Sequence, residues 1–252
     1  KVFEKEYGSK ISDKEVDKEL AKQKKQLGNQ FDAYLAQQGL TEETAKKQIR
    51  SNMLLEYAVN QAAKKDIKES DYKAAFESYT PEVTAQIIKL DSEDKAKEVL
   101  EAAKAEGADF AQIAKDNSTD TATKDKGGEV KFDSGTADIP SQVKEAAFKL
   151  DENSISDVIT VSAGQNYSAS YYIVKLNKKT EKGSDWKKYE KRLKEIIVDG
   201  RKQDTNYIRS IIAKAMTNAN IKVKDDAFKS TFNQYLQNIG VQTSDSSSSS
   251  KK

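Results

Sequence analysis

Apolar residues recur at two different spacings along this chain, and that change of spacing limits the folds open to it. In residues 1–82 and 179–242 they return every three or four positions, as on one face of a helix. Residues 83–178 instead mix short strand-like runs, glycine turns and shorter helical stretches. This pattern predicts an α+β protein in which a small, mostly antiparallel sheet with its helices is inserted into one discontinuous all-α lobe.

Caps and a proline divide the N-terminal segment into helices. Ser12 with Glu15 predicts a capping box at the start of the first helix. Thr41 predicts the start of a second helix, and Ser70 is the expected cap of a third. The third helix must end before Pro81, which biases the preceding residue away from helical geometry.

The middle segment has the predicted order β-α-α-β-α-β-β. Its predicted strands are Val83–Leu90, Glu129–Phe132, Asp157–Val161 and Tyr171–Leu176. Its predicted helices are Ser92–Glu106, Asp109–Lys115 and Ser141–Leu150. The pair Gly127-Gly128 predicts a turn rather than a phosphate-binding loop, because no Lys-Ser/Thr follows it.

The C-terminal segment predicts one helix of about eight turns, capped by Asp185 and reaching Ala215. A further helix is predicted over Ala227–Ile239, and residues 243–252, mostly Ser and Lys, predict a disordered tail. The long helix exceeds what one small core needs, so we expect it to pack on the N-terminal helices. Three separate modules in a row are the weaker alternative, because each terminal segment alone is short of core.

The composition excludes several kinds of site. The 252 residues include no Cys and no His, which rules out thiolate nucleophiles, disulfides, Cys/His zinc sites and Ser-His-Asp triads. A net charge of +2 disfavours nucleic acid as a partner. No apolar run approaches the about 20 residues of a membrane span. Lysine-rich runs such as Lys22–Lys25 and Lys187–Lys194 predict solvated helix faces, and we expect no metal and no cofactor.

Three stretches in the middle segment carry the most specific pattern. They are Glu106–Asp120, which begins Glu-Gly-Ala-Asp-Phe-Ala, then Gly127–Val130, and then Glu145–Leu150 with Ala-Ala-Phe-Lys-Leu. In this order and spacing they resemble the parvulin-type peptidyl-prolyl isomerase domain, over roughly Val83 to Lys178. The flanking stretches Gly8–Ser12 and Trp186–Tyr189 resemble the helical lobe of PrsA-type foldases, extracellular lipoproteins of Gram-positive bacteria.

The parvulin resemblance implies a set of site residues. The family has two histidine positions, an acidic position, a Met and a Phe that shape the proline pocket, and apolar wall residues nearby. Carried over in that order, these positions fall on Gln86, Tyr172, Asp120, Ile139, Val143, Val130 and Phe132. Asp120 is the candidate catalytic residue, and the other six are candidate substrate-binding residues.

The replaced positions bear on activity. Prolyl isomerisation makes and breaks no covalent bond, and its barrier of ~18–20 kcal/mol is the lost resonance of a twisted amide. A catalyst therefore needs a dry apolar pocket and groups that favour the twisted carbonyl. Losing the Met and Phe shrinks the pocket, and losing both histidines removes the imidazole hydrogen bonds. We predict weak or absent isomerase activity.

The same residues also have purely structural interpretations. Gln86 and Tyr172 can hydrogen-bond to each other or to neighbours, as a buried pair without a catalytic role. Asp120 lies beside Ser118 and Thr119 in a predicted turn, where an Asp commonly caps backbone amides. The Tyr and Phe stripes of the flanking helices are typical of a core, with any exposed remainder available to bind clients.

The foldase resemblance implies an extracytoplasmic chaperone that acts on unfolded or newly exported proteins. It also implies a lipid-modified Cys upstream of Lys1 that anchors the chain to the outer face of the cell membrane. A fully active peptidyl-prolyl isomerase and a non-catalytic surface scaffold or adhesin are the alternatives. A homodimer through the long helix is left open.

Overall fold

The computed structural model describes residues 1–162 and 169–219, together with 230, 233, 236 and 237. The chain divides into two compact units, residues 1–72 with 194–252 and residues 73–193. We call them the helical unit and the sheet unit. The helix predicted over Ala227–Ile239 falls almost entirely outside the described residues, and the tail 243–252 lies wholly outside them.

The described residues contain ten α-helices and four strands. The helices are α1 (Val2–Tyr7), α2 (Asp13–Leu27), α3 (Phe31–Gln37), α4 (Glu42–Lys65), α5 (Glu69–Ser78), α6 (Glu93–Lys104), α7 (Phe110–Asn117), α8 (Ser141–Lys149), α9 (Glu190–Gln203) and α10 (Thr205–Asn218). The strands are β1 (Val83–Leu90), β2 (Glu129–Phe132), β3 (Ile159–Val161) and β4 (Ser170–Lys179). The mixture of helices with an antiparallel sheet confirms the predicted α+β class.

Two of the three predicted N-terminal caps are confirmed. Ser12 Oγ accepts from the Glu15 amide, and the Glu15 carboxylate accepts from the Ser12 amide at 2.7 Å. Thr41 caps α4 in the same reciprocal way. The prediction for Ser70 is wrong, because Ser70 lies inside α5. Asp71 accepts from the Lys68 amide at 2.8 Å, so the chain enters the helix earlier than Ser70.

The helical unit has its own core where α2, α3 and α4 meet. The buried members are apolar residues at helical spacing, namely Ile11, Val16, Leu20, Phe31, Leu35, Ala45, Ile49 and Leu54. Burying such a stripe supplies most of the stability of helices this short.

Arg50 on α4 fastens the N-terminal segment to this core. Its guanidinium donates to the Glu4 carboxylate at 2.9 Å, and to the carbonyl oxygens of Gly8 and Ile11 at 2.9 Å each. It also reaches Asp13 at 3.2 Å. One side chain thus holds α1 and the turn that follows it.

The sheet unit contains a four-stranded antiparallel sheet in the order β2-β1-β4-β3. This confirms the predicted antiparallel arrangement. Three predicted strand limits are wrong. β3 begins at Ile159 rather than Asp157, and β4 runs from Ser170 to Lys179 rather than from Tyr171 to Leu176. The extra length of β4 pairs with the start of β1, where Val83 lies opposite Lys179.

Helices cover both faces of this sheet. On one face α6 and α7 bury a core with Ile88, Leu90 and Ile173, and we call it the α6/α7 face. On the other face α8 contributes Val143 and Ala147, and we call it the α8 face. The two faces alternate along each strand, as the two-residue period requires.

Gly128 closes the turn that leads into β2. Its φ is +78°, and a Cβ there would lie 2.3 Å from the Ile87 carbonyl oxygen. This close approach allows a backbone hydrogen bond, in which the Ile87 amide donates to the Gly128 carbonyl oxygen at 2.8 Å. The predicted turn at Gly127-Gly128 is confirmed, and glycine is required there for both reasons.

The sheet unit begins at Lys73 and ends at Leu193, whereas the predicted segment ran from Val83 to Lys178. Aromatic packing explains the difference. The Tyr189 ring stacks 5.7 Å from Phe76 and lies 5.4 Å from Tyr79, which brings the chain before β1 against the chain after β4.

The predicted single helix of about eight turns is wrong. Asp185 does cap its start, but the first turn, Trp186–Tyr189, is a 3-10 helix. The helical run then stops at Asp204, whose carboxylate accepts from the Asn206 amide at 2.8 Å and caps α10. An Asp within an amphipathic pattern competes for backbone amides in this way and divides the helix.

Among residues 1–162 and 169–219, none of the helices combines the length and apolar character that crossing a bilayer requires.

Candidate substrate-binding site

The α8 face gathers most of the predicted site residues. Its buried core consists of residues from β1, β2, α8 and β4, namely Val83, Ala85, Ile87, Phe132, Val143, Ala147, Tyr172, Val174 and Leu176. Half-buried apolar residues surround that core, namely Val130, Ile139, Phe148, Leu150, Ile159 and Val161. We call this second group the apolar rim. Five of the seven predicted residues therefore lie in the core or the rim.

The predicted residues of the α8 face differ in access. Phe132 and Val143 are 1% and 0% exposed, so they support the surface from beneath and cannot contact a ligand. Val130 and Ile139 belong to the rim and reach solvent. The solvent-accessible apolar surface of this face is therefore the rim, and Tyr172 belongs to the buried core at 8% exposure.

Tyr172 supplies the one polar atom of this buried group. It lies on β4 between Lys89 of β1 and Ile159 of β3. Burial raises the pKa of its phenol, and the negative charges of Asp120 and Asp91 raise it further. The hydroxyl therefore keeps its proton at neutral pH and remains a hydrogen-bond donor.

Gln86 lies outside the α8 face. It pairs across the sheet with Lys175, three positions from Tyr172, so the two side chains leave opposite faces. Gln86 is 8% exposed, and its Nε2 donates to the Gly127 carbonyl oxygen at 3.0 Å. The alternative of a direct Gln86–Tyr172 hydrogen bond is therefore wrong, and Gln86 instead holds the turn before β2.

Asp120 begins the turn after α7. Its carboxylate accepts from the Ala122 amide at 3.2 Å and from Thr123 Oγ1 at 2.5 Å. The preceding residue, Thr119, donates its amide to the Lys89 carbonyl oxygen at 2.8 Å, which fixes the turn against β1. These bonds support the capping interpretation of Asp120.

A buried carboxylate that the sequence reasoning missed lies beside the rim. Asp133 is 6% exposed and begins the loop 133–140, which connects β2 to α8 and carries Ile139. Within the loop it accepts from the Gly135 amide at 2.9 Å and Thr136 Oγ1 at 3.1 Å. Lys144 on α8 donates to carbonyl oxygens of the same loop, including that of Ser134 at 3.0 Å.

Asp133 is also bound from outside the loop. Arg192 donates to it twice, Nε to Oδ2 at 2.6 Å and Nη2 to Oδ1 at 2.8 Å, and Tyr79 Oη donates at 3.1 Å. Burial alone would raise the pKa of Asp133, but the Arg192 bonds and charge, with bonds from Thr136 and Tyr79, lower it below its ordinary value. Asp133 therefore stays ionised in the folded protein.

Arg192 departs from the prediction for its segment. The run Lys187–Lys194 was expected to form a solvated face, and its lysines are exposed. Arg192 is half-buried, with its side chain 33% exposed, and Leu193 is fully buried. The preference of Arg for two-pronged carboxylate pairs, in a run of lysines, was the one sequence signal for this role.

The arrangement suits binding of an apolar chain. An apolar rim with one protonated hydroxyl can hold a proline ring and its neighbours without covalent chemistry. Within the described residues, no group of three or more carboxylates converges to hold a metal ion.

Comparison with known proteins identifies the family of this chain. Residues 75–180 match the family described as the PPIC-type PPIASE domain. The foldase protein PrsA of Streptococcus sanguinis (strain SK36) is 60% identical over 239 residues, which cover 95% of this chain and 71% of that protein.

Two solved structures are also similar. The crystal structure of foldase protein PrsA from Streptococcus pneumoniae is 54% identical with a TM-score of 0.84, over 93% of this chain and 86% of that one. The foldase protein PrsA of Lactococcus lactis is 36% identical with a TM-score of 0.75, over 93% and 84% of the two chains. These likenesses, with the matched domain, show that this chain belongs to the PrsA family of parvulin-type foldases.

Proposed function

We propose that the α8 face of the sheet unit binds apolar, proline-containing stretches of unfolded chains, and that its isomerase activity is weak or absent. The protein then assists folding outside the cytoplasm mainly by holding such chains. The observation that supports this proposal is the apolar rim, which leaves six half-buried apolar side chains around a core containing Tyr172.

The arrangement of the two replaced histidine positions supports weak catalysis. Gln86 is occupied with the Gly127 carbonyl oxygen on the opposite side of the sheet, so it offers nothing to a peptide on the α8 face. Asp120 is engaged in its own turn. Of the three predicted polar residues, only Tyr172 remains to hydrogen-bond a substrate, whereas favouring a twisted amide requires several positioned groups.

A refolding assay limited by proline isomerisation tests the catalytic part. Uncatalysed isomerisation takes about 10–100 s at 25 °C, so acceleration is easily seen. We expect little acceleration by the natural chain. Robust acceleration that is lost in Asp120→Ala would favour the active isomerase instead. A gain in the double variant Gln86→His, Tyr172→His would show that imidazoles at these positions act on the substrate, against the placement of position 86 on the opposite face.

An aggregation assay tests the holding part with a matched pair of variants. Ile139→Ser removes an apolar side chain from the rim, while Ile113→Ser removes a half-buried isoleucine beside the α6/α7 face. We expect the natural chain to suppress client aggregation at stoichiometric amounts and Ile139→Ser to do so less than Ile113→Ser. A natural chain that suppresses no aggregation would favour the scaffold or adhesin.

Location and assembly are further parts of the proposal. A lipid anchor on a Cys upstream of Lys1 would hold the foldase at the outer face of the membrane, where newly exported clients emerge. Mass spectrometry of the protein extracted from its native membranes tests this, since an acylated N-terminal Cys has a distinct mass. Sedimentation of the chain in solution tests for the homodimer.

A further inference from the structure

The loop 133–140 gives the rim one of its side chains, Ile139. Lys144 and Thr80 hold Ser134 of this loop, and Asp133 attaches the start of the loop to the rest of the unit. Two donors to the Asp133 carboxylate come from the loop itself, the Gly135 amide and Thr136 Oγ1. Three more hydrogen bonds come from Arg192 and Tyr79, which lie outside it. The carboxylate therefore joins the loop to the chain before β1 and to α9.

Arg192 is the positively charged partner of Asp133 in this attachment. Its two hydrogen bonds use the planar fork that fits a carboxylate, and the Asp133 side chain is only 8% exposed. If Arg192 were removed, the buried charge would have to be neutralised or reached by water. Either change alters the acceptor of the loop donors, because the Gly135 amide and Thr136 Oγ1 both donate to Oδ1, the oxygen that also accepts from Arg192 Nη2.

We infer that Arg192 is a positioning residue for substrate binding: through Asp133 it fixes the loop 133–140 and thereby the place of Ile139 in the apolar rim. This inference rests on the proposed function, because it assigns Ile139 to the substrate surface. Arg192 lies beyond the matched domain at residues 75–180, so α9 completes the binding surface of a domain that ends before it.

The test compares three variants of the full chain. Arg192→Gln removes the charge and the fork, and Arg192→Lys keeps the charge alone. Arg201→Gln is the matched control, because Arg201 lies on the same helix and pairs with Asp71 of the helical unit at 2.8 Å. Three readouts are followed: hydrogen exchange of the Gly135 amide, the methyl signals of Ile139 by NMR, and the Kd of a proline-containing apolar peptide.

We expect Arg192→Gln to lower protection at Gly135, to move the Ile139 signals and to raise the peptide Kd by about 3- to 10-fold. Arg192→Lys should lie between it and the natural chain, and Arg201→Gln should leave all three readouts unchanged. A lower unfolding midpoint in Arg192→Gln, with the Gly135 and Ile139 readouts unchanged, would overturn the inference.

Failure of the proposed function is distinguishable in the same experiment. If the peptide moves no Ile139 signal in the natural chain, the α8 face is not the substrate surface. That result overturns the proposed function and the link from Arg192 to substrate. The Gly135 exchange in Arg192→Gln still reports separately whether Arg192 fixes the loop.

Discussion

The two faces of the sheet are built from alternate residues of the same strands, yet they are covered differently. Two helices of 12 and 8 residues, α6 and α7, cover one face, and Ile88 and Ile173 there are fully buried. One helix of nine residues, α8, covers the other and leaves the apolar rim half-exposed. Both faces have a buried core, but six half-buried apolar side chains surround the core of the α8 face and four that of the α6/α7 face, so the α8 face keeps more apolar surface available for a ligand.

The largest expected effect is on the free energy of unfolding, which a core substitution on the α6/α7 face should lower more than a rim substitution on the α8 face. Ile173→Ala should lower the free energy of unfolding of the sheet unit by about 2–5 kcal/mol, because it opens a cavity in a dry core. Ile139→Ala on the rim should cost about 1 kcal/mol or less. The single tryptophan, Trp186, lies in the sheet unit, so its fluorescence during urea unfolding reports this unit. Equal losses for the two variants would show that Ile139 is packed as tightly as the core and is not part of an accessible rim.

The next largest effect is a pH dependence confined to the α8 side. The pKa of Asp133 is lowered in the folded state. Its contribution to the free energy of unfolding is therefore complete above about pH 4, which is the ordinary pKa of an unfolded Asp. The contribution is lost as pH falls through the lowered folded value, because proton uptake removes the Arg192 pair and leaves Tyr79 without a charged acceptor. Protection of the Gly135 amide should fall in acid before that of β1, and Asp133→Asn should abolish the difference. A simultaneous loss at both places in the natural chain would contradict it.

A smaller effect is expected from the polar residue of the α6/α7 side. Gln86→Ala removes the hydrogen bond to the Gly127 carbonyl oxygen and should cost about 1 kcal/mol of unfolding free energy. Gln112→Ala is the control, because the Gln112 side chain is exposed on α7 and donates along the helix surface to Asp116. Peptide affinity should be unchanged in both. A large loss of affinity in Gln86→Ala would return Gln86 to the binding site.

The smallest effect is expected from removing the hydroxyl oxygen of Tyr172. Tyr172→Phe should change the unfolding free energy by about 0.5 kcal/mol or less. Tyr171→Phe, on the neighbouring residue that packs on the α6/α7 face, is the control. If the α8 face binds through apolar area, peptide affinity stays close to that of the natural chain. A tenfold loss in Tyr172→Phe alone would show that its hydroxyl takes part in recognition.

Local signals in the sequence were sufficient for most elements. Strand β1 and the caps Ser12 and Thr41 follow from residues within a few positions of each other, and the structure confirms them. The break at Asp204 did not follow, because an Asp at that position fits both a continuous amphipathic helix and a new cap. The choice depends on whether its carboxylate reaches the Asn206 amide, which the pattern does not specify.

The candidate site shows the same division. Family positions placed Val130, Ile139 and Tyr172 on one face, but alternation along β1 and β4 had to be combined with the strand register to separate Gln86 from them. Asp133 and Arg192 are 59 positions apart in the chain. Nothing in either local sequence specifies that they pair, so only the folded structure shows this ion pair.

The hydrogen bonds between Arg50 and the N-terminal segment have a mechanical consequence. The guanidinium binds Glu4 near the N-terminus and the carbonyl oxygens of Gly8 and Ile11, all from the middle of α4. Tension applied at Lys1 would therefore load α4 through these bonds before it could peel the first eleven residues away. In a force experiment, Arg50→Ala should lower the force at which this segment detaches.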